Sequence, residues 1–340
     1  MFDRIKYYLD KYKLVVICII SLILTLFIGW FYLNNTIEKK EFTETYSVDY
    51  YTAIDNFNKK TVDFLNNNYS NTNVIISPLT MEKSYYTYMK QNDIINDKLF
   101  LVFGNGLFDF DTSSCLLDEN LINVFTVGKS KNSFTKADIE VDISDRFALD
   151  EINAKINTLS DNKIVYKVKD TTVFNYNIFG LCVLDTDVIF DKCIEDEKNY
   201  LVSGTFETYK DNDIFFIKIP LENEDYSLII KKGTDLSYDK FISLYTENNY
   251  CYLRLPKINY ESVDNPSKLL VNTSFADSMT LDSNLMNLTT ICHLNIHYKG
   301  LYDATINDFD DKDILDLSSD CSFYIQNNNT GNYVIVGNIM

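Results

Sequence analysis

Apolar and polar positions divide the chain into three kinds of segment. Residues 14–33, LVVICIISLILTLFIGWFYL, are apolar on every face and carry no formal charge. At about 1.5 Å of rise per residue, a helix of that length crosses a hydrocarbon core about 30 Å thick. The run therefore predicts a membrane-spanning helix. Within 49–68 the spacing changes: Ile54, Phe57, Thr61, Phe64 and Leu65 recur at helical intervals, which predicts an amphipathic helix. Residues 73–77 read as a short apolar strand. Ser77-Pro78 then marks the start of a second helix, because proline suits the first helical position. Beyond Leu99 the chain is strand-like, with LFLVFG, LINVFTVG, IFGLCVL, DIFFIKIPL, YSLIIKKG and CYLRLPKI in turn. One helix interrupts them at 148–159, with Leu149, Ile152 and Ile156 on one face. The chain ends in a predicted hairpin, SFYIQ and NYVIVGNI flanking the Gly-containing turn at 327–331. Helices first and strands afterwards describe one α+β domain. No internal repeat or Gly/Ser linker divides it.

The flanks of the apolar run set its direction. Arg4, Lys6, Lys11 and Lys13 precede it, and the nearest basic residues after it are Lys39 and Lys40. This asymmetry predicts a cytoplasmic N-terminus. The run is longer than a signal-peptide core and leads into Trp30, Phe31 and Tyr32, with no small-residue cleavage site. Aromatics there match an interfacial belt. The expected layout is a cytoplasmic tail at 1–13, an uncleaved signal-anchor at 14–33, a charged, Thr-rich stalk at 34–52 and a lumenal or extracellular domain at 53–340.

Charge narrows the partners. The net charge is −18, and the first 13 residues hold four basic and two acidic groups, so the remainder carries −20. Such a surface repels nucleic acid and anionic lipid. A hydrophobic fraction of 46% with 25 Tyr and 23 Phe argues for a folded, sheet-rich core. Only 10 Gly and 4 Pro occur, while Asn, Ile, Lys and Tyr are abundant, a skew that suggests an A/T-rich genome. Six cysteines follow the span: Cys115, Cys182, Cys193, Cys251, Cys292 and Cys321. They permit up to three disulfides, or serve as small buried hydrophobes; both readings stand. Sequons occur at Asn34, Asn68, Asn272, Asn287 and Asn328. With 37 Asn and 49 Ser or Thr in 340 residues, chance alone gives about five such triplets, so they mark candidate glycosylation sites without arguing for a secretory route.

No catalytic constellation is evident. His293 and His297 are the only histidines, and positions four apart in a strand share a face. With Cys292 they are a conceivable ligand set, but no metal-binding spacing accompanies them. There is no Gly-x-Ser-x-Gly elbow and no Gly-rich phosphate loop. The acidic run at 308–316 lacks the Gly and terminal Glu of a calcium loop. The expectation is a protein that is not an enzyme and uses neither cofactor nor metal.

Five segments in order resemble the serpin superfamily. NVIISPL at 73–79 resembles its Asn-x-x-x-Ser-Pro-Leu strand-to-helix junction. EINAKINTLSDNKI at 151–164 is similar to its helix ending near Asn-Gly-Lys-Ile, with Asp161-Asn162 in place of Asn-Gly. IPLENEDYSLII at 219–230, LRLPKINYES at 253–262 and SFYIQNNNTGNYVIVGNI at 322–339 resemble its central segment, its Leu-Pro-Lys-Phe strand and its terminal hairpin. The likeness covers about 53–340. It implies a serpin-like fold of three β-sheets with about eight or nine helices, here preceded by one transmembrane helix.

The departures bear on function. An inhibitory serpin needs a long exposed loop before the terminal hairpin, rich in small residues, that inserts as a new central strand after cleavage. The corresponding segment here, TINDFDDKDILDLSSD at 305–320, is about half that length and carries Asp308, Asp310, Asp311, Asp313, Asp316 and Asp320. Burying unpaired carboxylates between strands is strongly unfavourable. The superfamily's Asn-x-x-Tyr-Phe-Lys-Gly-x-Trp segment is poorly kept near 179–190, and the only tryptophan is Trp30. The resemblance with these departures implies a membrane-anchored, non-inhibitory protein that binds a protein partner, a host protein or protease, at a membrane or virion surface. The composition and the union of anchor and serpin-like domain suggest a large DNA virus as source. The alternative is a serine or cysteine protease inhibitor acting through 305–320, with Asp313, Ile314, Leu315 and Asp316 as the reactive-loop equivalent.

Overall fold

A computed structural model of the chain describes residues 73–91, 121–128, 137–140, 147–169, 176–211, 214–233, 246–264, 287–310, 312–329 and 331–340, with Thr25, Lys59, 61–63 and Leu65. The tail at 1–13, all but Thr25 of the run at 14–33, the stalk at 34–52 and the strand predicted at 99–104 lie outside the described residues. Among the described residues no helix is long and apolar enough to cross a membrane. Lys59, Thr61, Val62, Asp63 and Leu65 are helical, and Thr61, Val62 and Leu65 are buried, consistent with the amphipathic helix predicted there.

Strand β1 (Val74–Ile76) leads into helix α1 (Pro78–Gln91). The start of α1 follows from Ser77-Pro78: the Ser77 hydroxyl accepts the Thr80 N–H at 3.3 Å, and Pro78 takes a position with no amide to satisfy. Next come β2 (Ile122–Gly128), β3 (Ile139–Glu140) and α2 (Ala148–Leu159). Two long strands form the middle, β4 (Tyr176–Asp196) and β5 (Asn199–Asp211), followed by β6 (Ile214–Pro220) and β7 (Tyr226–Lys232). Then come β8 (Glu247–Pro256), β9 (Asn259–Asp264), β10 (Asn287–Tyr302), β11 (Ile314–Asp316), β12 (Cys321–Asn327) and β13 (Tyr333–Ile339). Among the described residues, the α-helical segments are α1, α2 and the helical residues between 59 and 65, against the eight or nine helices implied.

The three sheets implied by the resemblance are joined into one hydrogen-bonded network of thirteen strands. Strand length is the reason. One edge of β5 pairs with β4 over 199–203 and with β6 over 207–211, while β8 runs along the other edge over 199–208. A strand this long serves more than one layer of a twisted sheet.

At the centre β4 and β10 run parallel, in register from Asn177↔Asn287 to Phe190↔Gly300, with Lys192↔Tyr302 beyond. Both faces of this pair are used. Leu184, Val188, Phe190, Leu294, Ile296 and Tyr298 enter the main core. There Phe190 meets Phe206 and Tyr298 edge-on at 5.7 and 5.6 Å. On the other face Phe179, Leu181 and Ile291 pack with Ile152 and Ile156 of α2. Helix α2 thus buries the face expected of it, with Leu149 at the margin.

Two local details tie the sequence to the backbone geometry. Asp161 and Asn162, which stand where the resemblance has Asn-Gly, both take left-handed backbone (φ 51° and 60°), a region Asp and Asn tolerate better than most residues. Gly180 lies where α1 crosses β4; a Cβ there would meet the Ser84 hydroxyl at 2.4 Å and the Thr80 methyl at 2.6 Å. Small side chains facing a glycine bring the helix close to the strand.

Candidate functional site

The segment between β10 and β12 is the site singled out in sequence, and its residues are folded onto the sheet. Thr305 caps a single 3₁₀ turn, Ile306–Asp308. The Asp308 carboxylate accepts the Thr305 amide at 2.8 Å and the Thr305 hydroxyl at 3.0 Å. Its other oxygen pairs with the Lys192 ammonium of β4. The Lys192 hydrogen bond, with those from Thr305, holds the Asp308 carboxyl down to about 2. Phe309 is 3% exposed and meets Tyr252 of β8 edge-on at 6.2 Å. The Lys312 ammonium sits over the same ring at 5.5 Å, a cation–π contact.

Beyond this turn the chain becomes strand. Ile314, Leu315 and Asp316 pair in parallel with Tyr252, Leu253 and Arg254. Leu317 is fully buried, and its amide donates to the Arg254 carbonyl at 2.9 Å. Arg254 lies between Asp196 at 3.4 Å and Asp316 at 3.8 Å. Burial disfavours ionisation of Asp316, but hydrogen bonds from the Ser318 hydroxyl and amide, with the charges of Arg254 and Lys232, hold its pKa below the ordinary value. Of the four residues expected as a reactive-loop equivalent, Ile314, Leu315 and Asp316 are therefore in β11 and only Asp313 is outside regular structure. The connection from β10 to β11 is 303–313, eleven residues, and its described members lie outside the strands. Leu301, Tyr302 and Ile306 stand at its head, exposed by 65%, 66% and 52%. Sequence reasoning passed over these three; their signal was apolar residues adjoining an acidic run.

The histidines serve different carboxylates. His293 lies 3.7 Å from Glu261, and His297 lies 2.8 Å from Asp185. Burial works against ionisation of Asp185, but hydrogen bonds from Lys163 and His297 outweigh it and lower its pKa. Cys292 points to the opposite, core-facing side of β10. Among the described residues no three His, Cys, Asp or Glu side chains gather as a metal site. A concavity of about 730 Å³ is lined by Val165, Tyr166, Lys167, Lys169, Glu261 and Val263. There the Glu261 carboxylate accepts the Val165 and Tyr166 amides at 2.7 Å each, fastening the segment after α2 to β9.

Asn328, the one sequon residue with a described side chain, lies in the turn between β12 and β13. Its amide nitrogen donates to the Glu224 carbonyl at 2.8 Å, and its oxygen accepts the Ser227 hydroxyl at 3.0 Å. Asn287 begins β10. Asn34, Asn68 and Asn272 lie outside the described residues.

Comparison with solved structures identifies the architecture. The chain is similar to a tumour suppressing serpin at 16% identity and TM-score 0.59, with 85% of this chain and 99% of that one covered. It is similar to uncleaved ovalbumin at 11% identity and TM-score 0.61, covering 85% and 98%. It is similar to Serpin48, a highly specific serpin of the insect Tenebrio molitor, at 13% identity and TM-score 0.60, covering 87% and 99%. No protein-family model and no curated protein sequence matches. The fold is that of the serpins.

Proposed function

We propose that this serpin-fold chain is a single-pass, N-in membrane protein whose outward domain binds a protein partner and does not trap proteases. The observation that carries the reading is the connection from β10 to β11. Residues 303–313, fully extended at about 3.3 Å per residue, span roughly 36 Å, whereas lying along all of 16-residue β10 needs roughly 53 Å. Cleavage anywhere in the segment frees even less. Asp303, Asp310, Asp311 and Asp313 would enter the sheet with it, each an unfavourable burial. The β4–β10 seam that an inserted strand must part is paired along its length.

The binding surface is the exposed apolar group Leu301, Tyr302 and Ile306 beside these aspartates. An apolar centre with an acidic rim fits a partner with an apolar anchor and basic surroundings. The anchor rests on the uncharged run at 14–33 and its basic N-terminal flank. A large DNA virus as source rests on the A/T-rich composition and on the union of anchor and serpin-like domain. The decisive experiment incubates the purified protein with a panel of serine and cysteine proteases. No complex should survive SDS denaturation, and a covalent adduct would overturn the non-inhibitory reading. Tight reversible inhibition without an adduct would instead make 303–313 a substrate-like plug. In microsomes, the translated chain should be protected from added protease apart from its first residues.

A further inference from the structure

Cys182 of β4 and Cys292 of β10 occupy the same register position of the parallel ladder. They are 0% and 3% exposed, and both face the main core. The two thiols are in hydrogen-bonding contact, and neither is in a disulfide in this structure. We propose that Cys182 and Cys292 form a redox pair that closes into a disulfide and covalently staples β4 to β10.

The ladder supplies the geometry. Adjacent strands lie about 4.8 Å apart, inside the roughly 4.4–6.8 Å Cα separation that a disulfide accepts. The Cys182 and Cys292 side chains leave the same face at the same level of the ladder, and a disulfide takes a Cβ separation of about 3.5–4.5 Å. Closure therefore needs only a small local approach of the strands. No other cysteine pair of the described strands is so placed. Cys193 is opposite Val202, Cys251 is opposite Gly204, and Cys321 is opposite Ile339 and Lys232.

The oxidant is a low-molecular-weight disulfide such as glutathione disulfide. The thiolate of one cysteine attacks it, forming a mixed disulfide and releasing one small thiolate. The thiolate of the second cysteine then attacks the protein-bound sulfur and releases the other. Two cysteine thiols thus lose two protons and two electrons, and the oxidant becomes two thiols. In the folded state, burial raises the Cys292 pKa and limits access to the pair. Exchange therefore takes place before β10 docks on β4, and the bond retains the paired state afterwards. The cross-link encloses the chain between positions 182 and 292, a long loop, for which the constraint on the unfolded chain is large. The pair requires nothing of the proposed partner binding and stands or falls independently of it.

The test uses the full chain, made by cell-free synthesis in detergent with either a glutathione disulfide buffer or reductant alone. Free thiols are then blocked with iodoacetamide, and the digest is read by mass spectrometry. The oxidised preparation should contain the Cys182 peptide joined to the Cys292 peptide. It should also unfold roughly 5 °C higher than the reduced one. Cys292→Ala should remove both effects, and Cys251→Ala should retain them. Should Cys292→Ala fail to fold, the wild-type peptide map still decides. Alkylated Cys182 and Cys292 in the oxidised preparation, or either joined to another cysteine, overturns the proposal.

Discussion

Strand β10 ends at Tyr302, and the chain changes character within a few residues. Before that point, β10 lies beside β4 with Leu288, Ile291 and Leu294 fully buried. After it, 303–313 is held by one buried ring, one capped turn and two lysines. The seam is cohesive through apolar area and backbone pairing, which act together over many residues. The following segment is fastened by a few polar and aromatic contacts that can be removed one at a time. An unbroken seam thus adjoins a segment able to change partners.

The contrast sets the size of mutational effects. Leu294→Ala removes a fully buried side chain from the seam and should cost roughly 2–5 kcal/mol. Urea unfolding should show it as a lower midpoint for the whole domain. A midpoint within error of wild type would mean that the seam is not the cohesive region. Phe309→Ala should act locally: without its contact to Tyr252, cleavage within 303–313 by a dilute protease should quicken roughly fivefold. Equal cleavage of both proteins would show that Phe309 is not what holds the segment.

A smaller effect comes from charge. Asp308 is held down to about 2, against an ordinary 3.8. A carboxyl whose folded pKa is depressed stabilises above its unfolded pKa and loses that contribution as pH falls through the folded one. Pinning of the turn should be complete at neutral pH and fade between 3.8 and about 2. Lys192→Met should bring the Asp308 midpoint back toward 3.8, read from its carboxyl carbon shift in an NMR titration. An unchanged midpoint would assign the depression to Thr305 alone. Smallest of all, His297→Ala loses a half-exposed polar contact with Asp185 and should alter stability by less than about 1 kcal/mol. A larger loss, measured by the same urea unfolding, would mean that the polar end of the β4–β10 face is as cohesive as its apolar end.

Where local chemistry and tertiary packing agreed, the sequence was easy to read. Ser77-Pro78 opens α1, Ile152 and Ile156 mark the buried face of α2, and Gly331 (φ 76°) turns the terminal hairpin. Strand β4 was visible only as IFGLCVL. Its continuation carries Asp185, Asp187, Asp191, Glu195 and Asp196, which obscure the strand pattern. Val188 and Phe190 nevertheless face the core, while Asp185 and Asp187 find Lys163 and Lys299 on the other face. Charge on one face of a strand masks the alternation when its partners lie far off in sequence. Strand β11 has only three residues, too few for any period. Its pairing with β8 is a tertiary fact, and so was the difference between an exposed loop and one folded onto the sheet.

Strand β13 has a consequence for how the molecule is made. It lies between β1 and β12, all seven of its residues are buried, and the Met340 amide donates to the Asn73 side chain at 2.8 Å. The strand that leaves the ribosome last among those described thus fills an interior slot beside the one that left first. At about 5–20 residues per second, the 264 residues from Val74 to its ladder partner Asn338 take roughly 13–53 s to emerge. Throughout that interval β1 lacks its β13 partner, and β12 joins it only shortly before β13 emerges. Cells that make this protein must shield a half-built sheet until its final strand arrives.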